Sequence, residues 1–145
     1  MRIALAADHR GFFLKERIKS FIAELGHDPV DFGAPDSEPS DYPDFGIAAA
    51  EAVSSGKCER GILVCGTGIG MSISANKVRG VFAARCCSVR DAEMCRRHNN
   101  ANVMTLSGEI APDDAMEMVR AFIDTPFEGG RHGRRVRKIA EYERK

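Results

Sequence analysis

A cysteine followed by closely spaced glycines lies in the segment Arg60–Lys77, which reads RGILVCGTGIGMSISANK. The apolar residues that end at Cys65 predict a buried strand, and the small residues after Gly70 predict a helix. The glycines at 66, 68 and 70 allow a ligand to approach the main chain, whose N–H groups can bind an anion. These N–H groups would favour the thiolate, which is the reactive form of a cysteine. The alternative is that Cys65 is a buried structural residue at a strand–helix turn.

Two common phosphate-binding motifs do not fit this segment. A P-loop would place Gly-Lys at positions 71 and 72, which are Met71 and Ser72. The dinucleotide fingerprint needs G-x-G-x-x-G, whereas residues 66–71 read G-x-G-x-G-x. An acidic residue should also end a strand about 20 positions further on, but residues 83–85 are Ala-Ala-Arg. The sequence therefore argues against an ATPase and disfavours a dinucleotide cofactor.

Acid–base groups are present at two further places. Asp8 and His9 follow the first apolar segment, and they are either groups that face a crevice or a turn with a solvated histidine. His98 and Asn99 follow a predicted helix, where His98 is either an acid–base group or the capped end of that helix. A site built around Cys65 would need such an acid–base partner, and the chain has only four histidines.

A basic segment closes the chain after the double glycine at 129 and 130. Arg131 and Arg135 are four residues apart, so a helix places them on one face. Two guanidinium groups beside a turn can clamp a dianion such as a phosphate. The alternative is that they form a solvated helix face.

Composition restricts the class of protein. The 145 residues are enough for one domain with a core of its own, which we take as residues 1–145. Lys and Arg balance Asp and Glu at 21 each, so no basic field predicts nucleic-acid binding. The five cysteines lack C-x-x-C spacing, which argues against a disulfide framework and against zinc. The absence of a long apolar run and of a signal-peptide pattern predicts a cytoplasmic protein without a membrane span.

Five apolar segments alternate with helical patterns along the chain. The predicted strands are Arg2–Ala7, Val30–Phe32, the strand that ends at Cys65, Gly80–Arg85 and Asn102–Leu106. The predicted helices are those starting near Leu14, at Pro43, after Gly70, at Ser88, at Pro112 and at His132, the last running to Lys145. This alternation predicts a doubly wound, Rossmann-like α/β sandwich, with a five-stranded parallel sheet and helices on both faces. Because ligands bind beyond the carboxyl ends of such strands, Asp8–His9 and Cys65–Gly66 should converge.

The combination of segments resembles the ribose-5-phosphate isomerase type B and galactose-6-phosphate isomerase family. The resemblance covers nearly the whole chain and rests on these segments: Asp8-His9 with Gly11, Asp41-Tyr42-Pro43, Gly61–Lys77, Arg97-His98-Asn99 with Asn102, and Glu128–His132 with Arg135. It implies an aldose–ketose isomerase of a sugar phosphate, with no metal or cofactor. It also implies a homodimer or dimer of dimers with active sites between subunits, in which the C-terminal helix, about 132–145, packs on the partner.

The resemblance also implies roles for single residues. Cys65 would be the base that moves a proton between C2 and C1, with Thr67 beside it and His98, assisted by Asp8, as the acid that opens the sugar ring. The enediolate oxygen would be held by the main-chain N–H groups of Gly66, Gly68, Ile69 and Gly70. The phosphate would be held by His9, Arg131 and Arg135, and the sugar would be lined by Tyr42 and Asn99. His98 and Asn99 are expected to reach in from the partner subunit.

One position departs from the family pattern. Many members carry an arginine a few residues after the strand that starts at Asn102, where this chain has Ser107-Gly108-Glu109. A carboxylate facing a phosphate is repelled, so we expect Glu109 to turn away or to pair with a nearby cation such as Arg134 or Arg97. The substrate is most consistent with ribose 5-phosphate. The alternatives are a six-carbon sugar phosphate, such as galactose 6-phosphate or allose 6-phosphate, and a non-catalytic phosphosugar-binding module.

Overall fold

The computed structural model describes residues 1–145 and contains one parallel sheet with helices on both faces. The strands are β1 (Arg2–Ala7), β2 (Asp28–Asp31), β3 (Arg60–Cys65), β4 (Ala83–Arg85) and β5 (Val103–Ser107). The helices are α1 (Phe12–Glu24), α2 (Tyr42–Ser54), α3 (Ile69–Ala75), α4 (Val89–Asn99), α5 (Pro112–Asp124) and α6 (Gly130–Glu143). The predicted fold class is confirmed.

The strand order is β2-β1-β3-β5-β4, and every neighbouring pair is parallel. The chain leaves β1 for β2 on one side and later returns to place β3 on the other side. The order therefore reverses between β1 and β3, which is the point where such sheets bind ligands. The ends of these two strands are Ala7 and Cys65, the positions that the sequence prediction placed at one crevice.

Alternating residues of the strands supply two cores. Ile3, Leu5 and Ala7 face the larger core, which buries residues of α1, α4 and α5, including the fully buried Phe122. Ala4 and Ala6 face the smaller core, which contains the alanine-rich side of α2 and residues of α3. Since both faces of the sheet are covered, the strands are continuous apolar runs, as the sequence indicated.

Several boundaries differ from the sequence prediction, among them those of β2, β4 and the last helix. β2 begins earlier, at Asp28, and includes Pro29, which an edge strand tolerates because one of its sides has no ladder to lose. β4 is shorter than Gly80–Arg85, because the side chain of Asn102 bonds the Phe82 N–H (2.8 Å) and the Gly80 carbonyl (3.0 Å) in place of a ladder. The last helix begins at residue 130 rather than 132. None of the six helices combines the length and hydropathy that a membrane crossing requires.

Candidate active site

Three loops meet at the carboxyl ends of β1, β3 and β5, and glycines let their backbones touch. A Cβ on Gly11 would lie 2.5 Å from the Val64 carbonyl oxygen, and one on Gly108 would overlap the main chain of the β1–α1 loop. Gly68 has φ +76°, and a Cβ there would lie 2.9 Å from the Leu106 carbonyl carbon. Side chains at these positions would push the loops apart. The loops are therefore packed tightly against one another, and we call the region that they form the cysteine crevice (Asp8–Arg10, Tyr42 and Cys65–Gly70).

Cys65 is the last residue of β3 and lies at the base of this crevice. Only 4% of its surface is exposed, and its carbonyl accepts the Gly108 N–H at 2.8 Å. Its thiol is free, as are those of the other four cysteines. A free thiol at the end of the central strand, directly before a glycine loop, is available as a base or nucleophile.

The loop after Cys65 offers unpaired main-chain donors. The N–H groups of Gly66, Thr67, Gly68 and Gly70 donate no hydrogen bond within the chain. The N–H of Ile69, which the sequence prediction counted among the donors, is engaged: it donates to Thr67 Oγ1 at 3.2 Å. The predicted role of Thr67 beside the base stays a prediction, since its hydroxyl is here part of the turn. The remaining four amides can hold a developing oxyanion.

Side chains of β4 and β5 fix the orientation of this loop. The carbonyls of residues 66–68 accept, in order, from Ser107 Oγ (2.7 Å), Arg85 Nε (2.7 Å) and Thr105 Oγ1 (2.9 Å). The loop is thus preorganised before any ligand binds, which is what transition-state stabilisation by dipoles requires. Sequence reasoning missed these three residues, and only their polar character at strand ends could have suggested them.

Asp8 and His9 are held in different ways. Asp8 is buried, and its Oδ1 accepts the N–H groups of Arg10 (2.9 Å) and Gly11 (3.1 Å), so this oxygen shapes the turn into α1. His9 Nδ1 accepts the Ser40 N–H at 3.2 Å. An amide can only donate, so the neutral ring carries its proton on Nε2. That N–H is free to bind an anion.

Tyr42 and Arg10 border the loop from two sides. Tyr42, the first residue of α2, lies against Gly70, where a Cβ would be 2.6 Å from its Cζ. Arg10 lies over Gly66, where a Cβ would be 3.1 Å from its Nε. The predicted position of Tyr42 at the site fits this geometry, whereas the position of Arg10 was not foreseen.

Glu109 pairs with a cation, as the sequence analysis expected, but with a different one. Its Oε1 lies 3.2 Å from Arg10 Nη2. Arg97 instead pairs with Glu128, at 3.4 Å between Nε and Oε1. The general prediction is therefore confirmed, and the choice of Arg134 or Arg97 as partner was wrong. The β5–α5 loop faces the β1–α1 loop rather than α4 or α6.

A second group of titratable residues lies where α4 ends and α6 begins. The rings of His98 and His132 stack, with centroids 4.2 Å apart and planes inclined by 9°. Glu128 Oε2 lies 3.9 Å from His98 Nε2 and 3.6 Å from His132 Nε2. Burial, the neighbouring His98 and the cation of Arg131 lower the pKa of His132. We call these three residues the histidine cluster; sequence reasoning assigned a role only to His98.

The histidine cluster and the cysteine crevice lie at opposite ends of the strands. The crevice is at the carboxyl ends, which we call the carboxyl edge, and the cluster is at the amino ends, the amino edge. Cys65 ends β3, whereas His98 is in the last turn of α4, which leads into the amino end of β5. The six residues of β3 span five intervals of about 3.3 Å, so the amino and carboxyl ends of the strand are roughly 17 Å apart. Asn99 lies at the amino edge too, as do Arg131 and Arg135, exposed on α6. One chain therefore does not bring all the predicted site residues together.

The histidine cluster has the composition of a metal site. One ligand atom from each of its residues lies within 4.8 Å of the others. Two of these groups have other partners: Arg97 pairs with Glu128, and Arg131 Nε donates to His132 Nε2 at 3.5 Å. A metal ion would have to displace the second of these contacts. That the site needs no metal stays a prediction.

Comparison with known proteins defines the class. The model of the Ribose/Galactose Isomerase family matches residues 3–139, so the chain belongs to that family. Ribose-5-phosphate isomerase B of Escherichia coli (strain K12) is 39% identical, covering 99% of this chain and 97% of its own length. The predictions of the family and of an isomerase are confirmed.

Two solved structures agree closely with the fold. That of Clostridium thermocellum ribose-5-phosphate isomerase B has a TM-score of 0.97 and 46% identity, covering 99% of this chain and 98% of its own. That of Mycoplasma genitalium ribose-5-phosphate isomerase B, with bound ribulose-5-phosphate, has a TM-score of 0.96 and 39% identity, covering 99% and 97%.

Proposed function

We propose that this isomerase interconverts ribose 5-phosphate and ribulose 5-phosphate through an enediolate, in the cytoplasm and without a metal or cofactor. The observation that carries the proposal is the free thiol of Cys65 below a loop whose amides at 66, 67, 68 and 70 are unpaired. Relatives of nearly the same length are named for this reaction, and one solved structure holds ribulose-5-phosphate.

The proton transfer follows from this arrangement. The Cys65 thiolate removes the proton from C2 of the open-chain aldose, and the electron pair moves so that negative charge develops on the oxygen at C1. The unpaired amides stabilise that oxygen, since the loop that carries them is already held by the bonds to its carbonyls. Return of the proton to C1, with transfer of a proton from the oxygen at C2 to the oxygen at C1, gives the ketose. A positioned base of this kind contributes roughly 10²–10⁴ in rate.

The active site would be completed by a second copy of the chain. His98 lies roughly 17 Å from the edge that carries Cys65, so it can act on the same sugar only from the partner subunit. Exposed apolar side chains beside the crevice fit such an interface: they are Tyr42 and Ile47 of α2 and Ile69 and Ile73 of α3. The exposed Ile139 and Tyr142 of α6 would pack on the partner in the same assembly.

In this assembly the two copies share the remaining work. His98 of the partner subunit would protonate the ring oxygen to open the furanose, and the partner's Asn99 would line the sugar. His9 Nε2–H of one copy and Arg131 and Arg135 of the other would hold the phosphate. In a single chain, neither end of the strands has the base, the acid and these phosphate donors together.

A substrate panel tests the proposal. Purified protein is incubated with the aldose and ketose phosphates of five and six carbons, and each pair is assayed for interconversion. We expect the highest kcat/KM for ribose 5-phosphate and none above background for the Cys65→Ala variant. Preference for galactose 6-phosphate or allose 6-phosphate would reassign the substrate. Binding without turnover of any sugar phosphate would show a non-catalytic module.

A further inference from the structure

Arg10 is a charged residue of the cysteine crevice to which no role has yet been given. Its guanidinium lies across Gly66, the residue after Cys65, where a Cβ would be 3.1 Å from its Nε. Its Nη2 is held by Glu109 Oε1 at 3.2 Å. We propose that Arg10 binds the phosphate group of the substrate and that Glu109 positions it, an inference that rests on the proposed function.

The ion pair does not exist for folding stability. Its two side chains are 60% and 75% exposed, and pairs this exposed contribute little to stability. Only Nη2 of the guanidinium donates a hydrogen bond; Nε and Nη1 have no acceptor in the chain. Those two groups remain available for an oxyanion, which guanidinium binds with a planar pair of N–H donors.

The position of Arg10 suits the anionic end of a substrate rather than its reacting end. Cys65 is buried at the inner side of the loop, whereas Nη2 of Arg10 points outward to Glu109, beyond the end of β5. His9, whose free Nε2–H is a second anion donor, precedes Arg10 in the chain. A phosphate held by His9 and Arg10 would lie on the solvent side of the loop, with the sugar between it and the thiol.

Glu109 has a double effect in this arrangement. It holds Arg10 in place, but its own charge repels a phosphate, and only the guanidinium between them screens that repulsion. Removing Arg10 should therefore weaken binding twice, by losing a donor and by exposing a carboxylate. A merely structural ion pair would not show this double loss of phosphate binding.

The first test uses Arg10→Ala with Arg17→Ala as matched control, since Arg17 is an exposed arginine of α1 away from the crevice. We expect Arg10→Ala to raise KM for ribose 5-phosphate about 10- to 100-fold, the usual value of a charge-assisted hydrogen bond, with kcat within about twofold. Arg17→Ala should leave both constants unchanged. An unchanged KM in Arg10→Ala would overturn the proposal.

Glu109→Gln supplies the second test. In the Arg10→Ala background Glu109→Gln should reverse part of the increase in KM, because the unscreened carboxylate is gone. In the wild-type background it should change KM much less than Arg10→Ala does, because the amide oxygen of Gln can still accept from Arg10. No recovery in the double variant would show that Glu109 does not face the phosphate and would contradict the account.

Inorganic phosphate binding, measured by calorimetry, separates this proposal from the proposed function. We expect at least about a fivefold loss of phosphate affinity in Arg10→Ala and none in Arg17→Ala. If the wild type fails to isomerise ribose 5-phosphate but Arg10→Ala loses phosphate affinity, the proposed function is wrong and the anion site stands. Equal affinity in wild type and Arg10→Ala overturns the anion site whatever the enzyme's activity.

Discussion

The cysteine crevice and the histidine cluster differ in how they are built. The crevice is made of main chain: Gly11, Gly68 and Gly108 let three loops touch, and polar side chains tie down the carbonyls of residues 66–68. The histidine cluster is made of side chains at helix ends, and His98 and Glu128 are 38% and 47% exposed. The first is rigid because its backbone is packed; the second depends on stacking and ion pairs that water can reach.

The difference matches the work proposed for each edge. Proton transfer between adjacent carbons needs a base and oxyanion donors placed to a fraction of an ångström, which a packed backbone provides. Ring opening and phosphate binding tolerate more movement, since a long side chain can follow its ligand. Mutations in the Cys65–Gly70 loop of the crevice should therefore act mainly on kcat, whereas mutations in the cluster should act on ring opening and those in the phosphate-binding side chains on KM.

The largest expected effect comes from the crevice. Cys65→Ala should reduce kcat at least about 100-fold, the minimum for loss of a positioned base, while the melting temperature changes little. Steady-state assays and thermal melts would measure the two. If the variant keeps more than about a tenth of wild-type kcat, another group is the base.

His98→Asn should have a smaller and more selective effect. We expect a loss of roughly 10- to 100-fold with the cyclic sugar phosphate and little loss with an open-chain substrate, because His98 is proposed to act only in ring opening. Assays on both forms decide the matter. Equal losses would place His98 in the proton transfer itself and remove the division of labour between the two edges.

A pair of glycine variants tests whether the crevice depends on backbone contact. Gly68 and Gly80 have similar φ angles, +76° and +79°, but only Gly68 is packed against the β5 main chain. Alanine at either position should cost about 1–2 kcal/mol for the left-handed backbone. Gly68→Ala should cost a further ~1–3 kcal/mol for the overlap with Leu106. Urea unfolding gives both values, and equal costs would show that the loop can relax.

The smallest effect concerns pH and the histidine cluster. Because the folded state lowers the pKa of His132, the unfolded chain binds more protons at mildly acidic pH. Stability from this residue is therefore fully present above the unfolded pKa of about 6.5 and is lost as pH falls below it. His132→Asn should flatten the dependence of unfolding free energy on pH between about 7 and 5. If the slope of unfolding free energy against pH is the same in the variant, groups other than His132 determine that slope.

Much of the fold and half of the site were predictable because they are local in sequence. The run Ile62–Cys65 followed by alternating glycines specifies strand, loop and helix within a dozen residues. Asn100, a residue type that tolerates positive φ, ends α4 with φ +50°. Patterns of this kind need no knowledge of distant residues.

The contacts that sequence could not supply cross the sheet. Ser107 reaches Gly66 across 41 positions, and Arg10 reaches Glu109 across 99. Which loops face each other depends on the strand order, and the sequence does not state that order directly. For the same reason Glu109 was assigned cations of α4 and α6, whereas the parallel sheet brings the β5–α5 loop against the β1–α1 loop.

Subunit complementation tests most directly the central claim that each active site combines the crevice of one copy with the cluster of another. Cys65→Ala and His98→Asn chains, each with reduced activity on the cyclic sugar phosphate, are co-refolded in equal amounts, and their separate activities are measured beside the mixture. In a symmetric dimer half of the random assemblies are mixed, and each mixed dimer has one intact site of two, so about a quarter of wild-type activity should return. Activity that stays at the level of the separate variants would place Cys65 and His98 in the same chain's site and contradict the account.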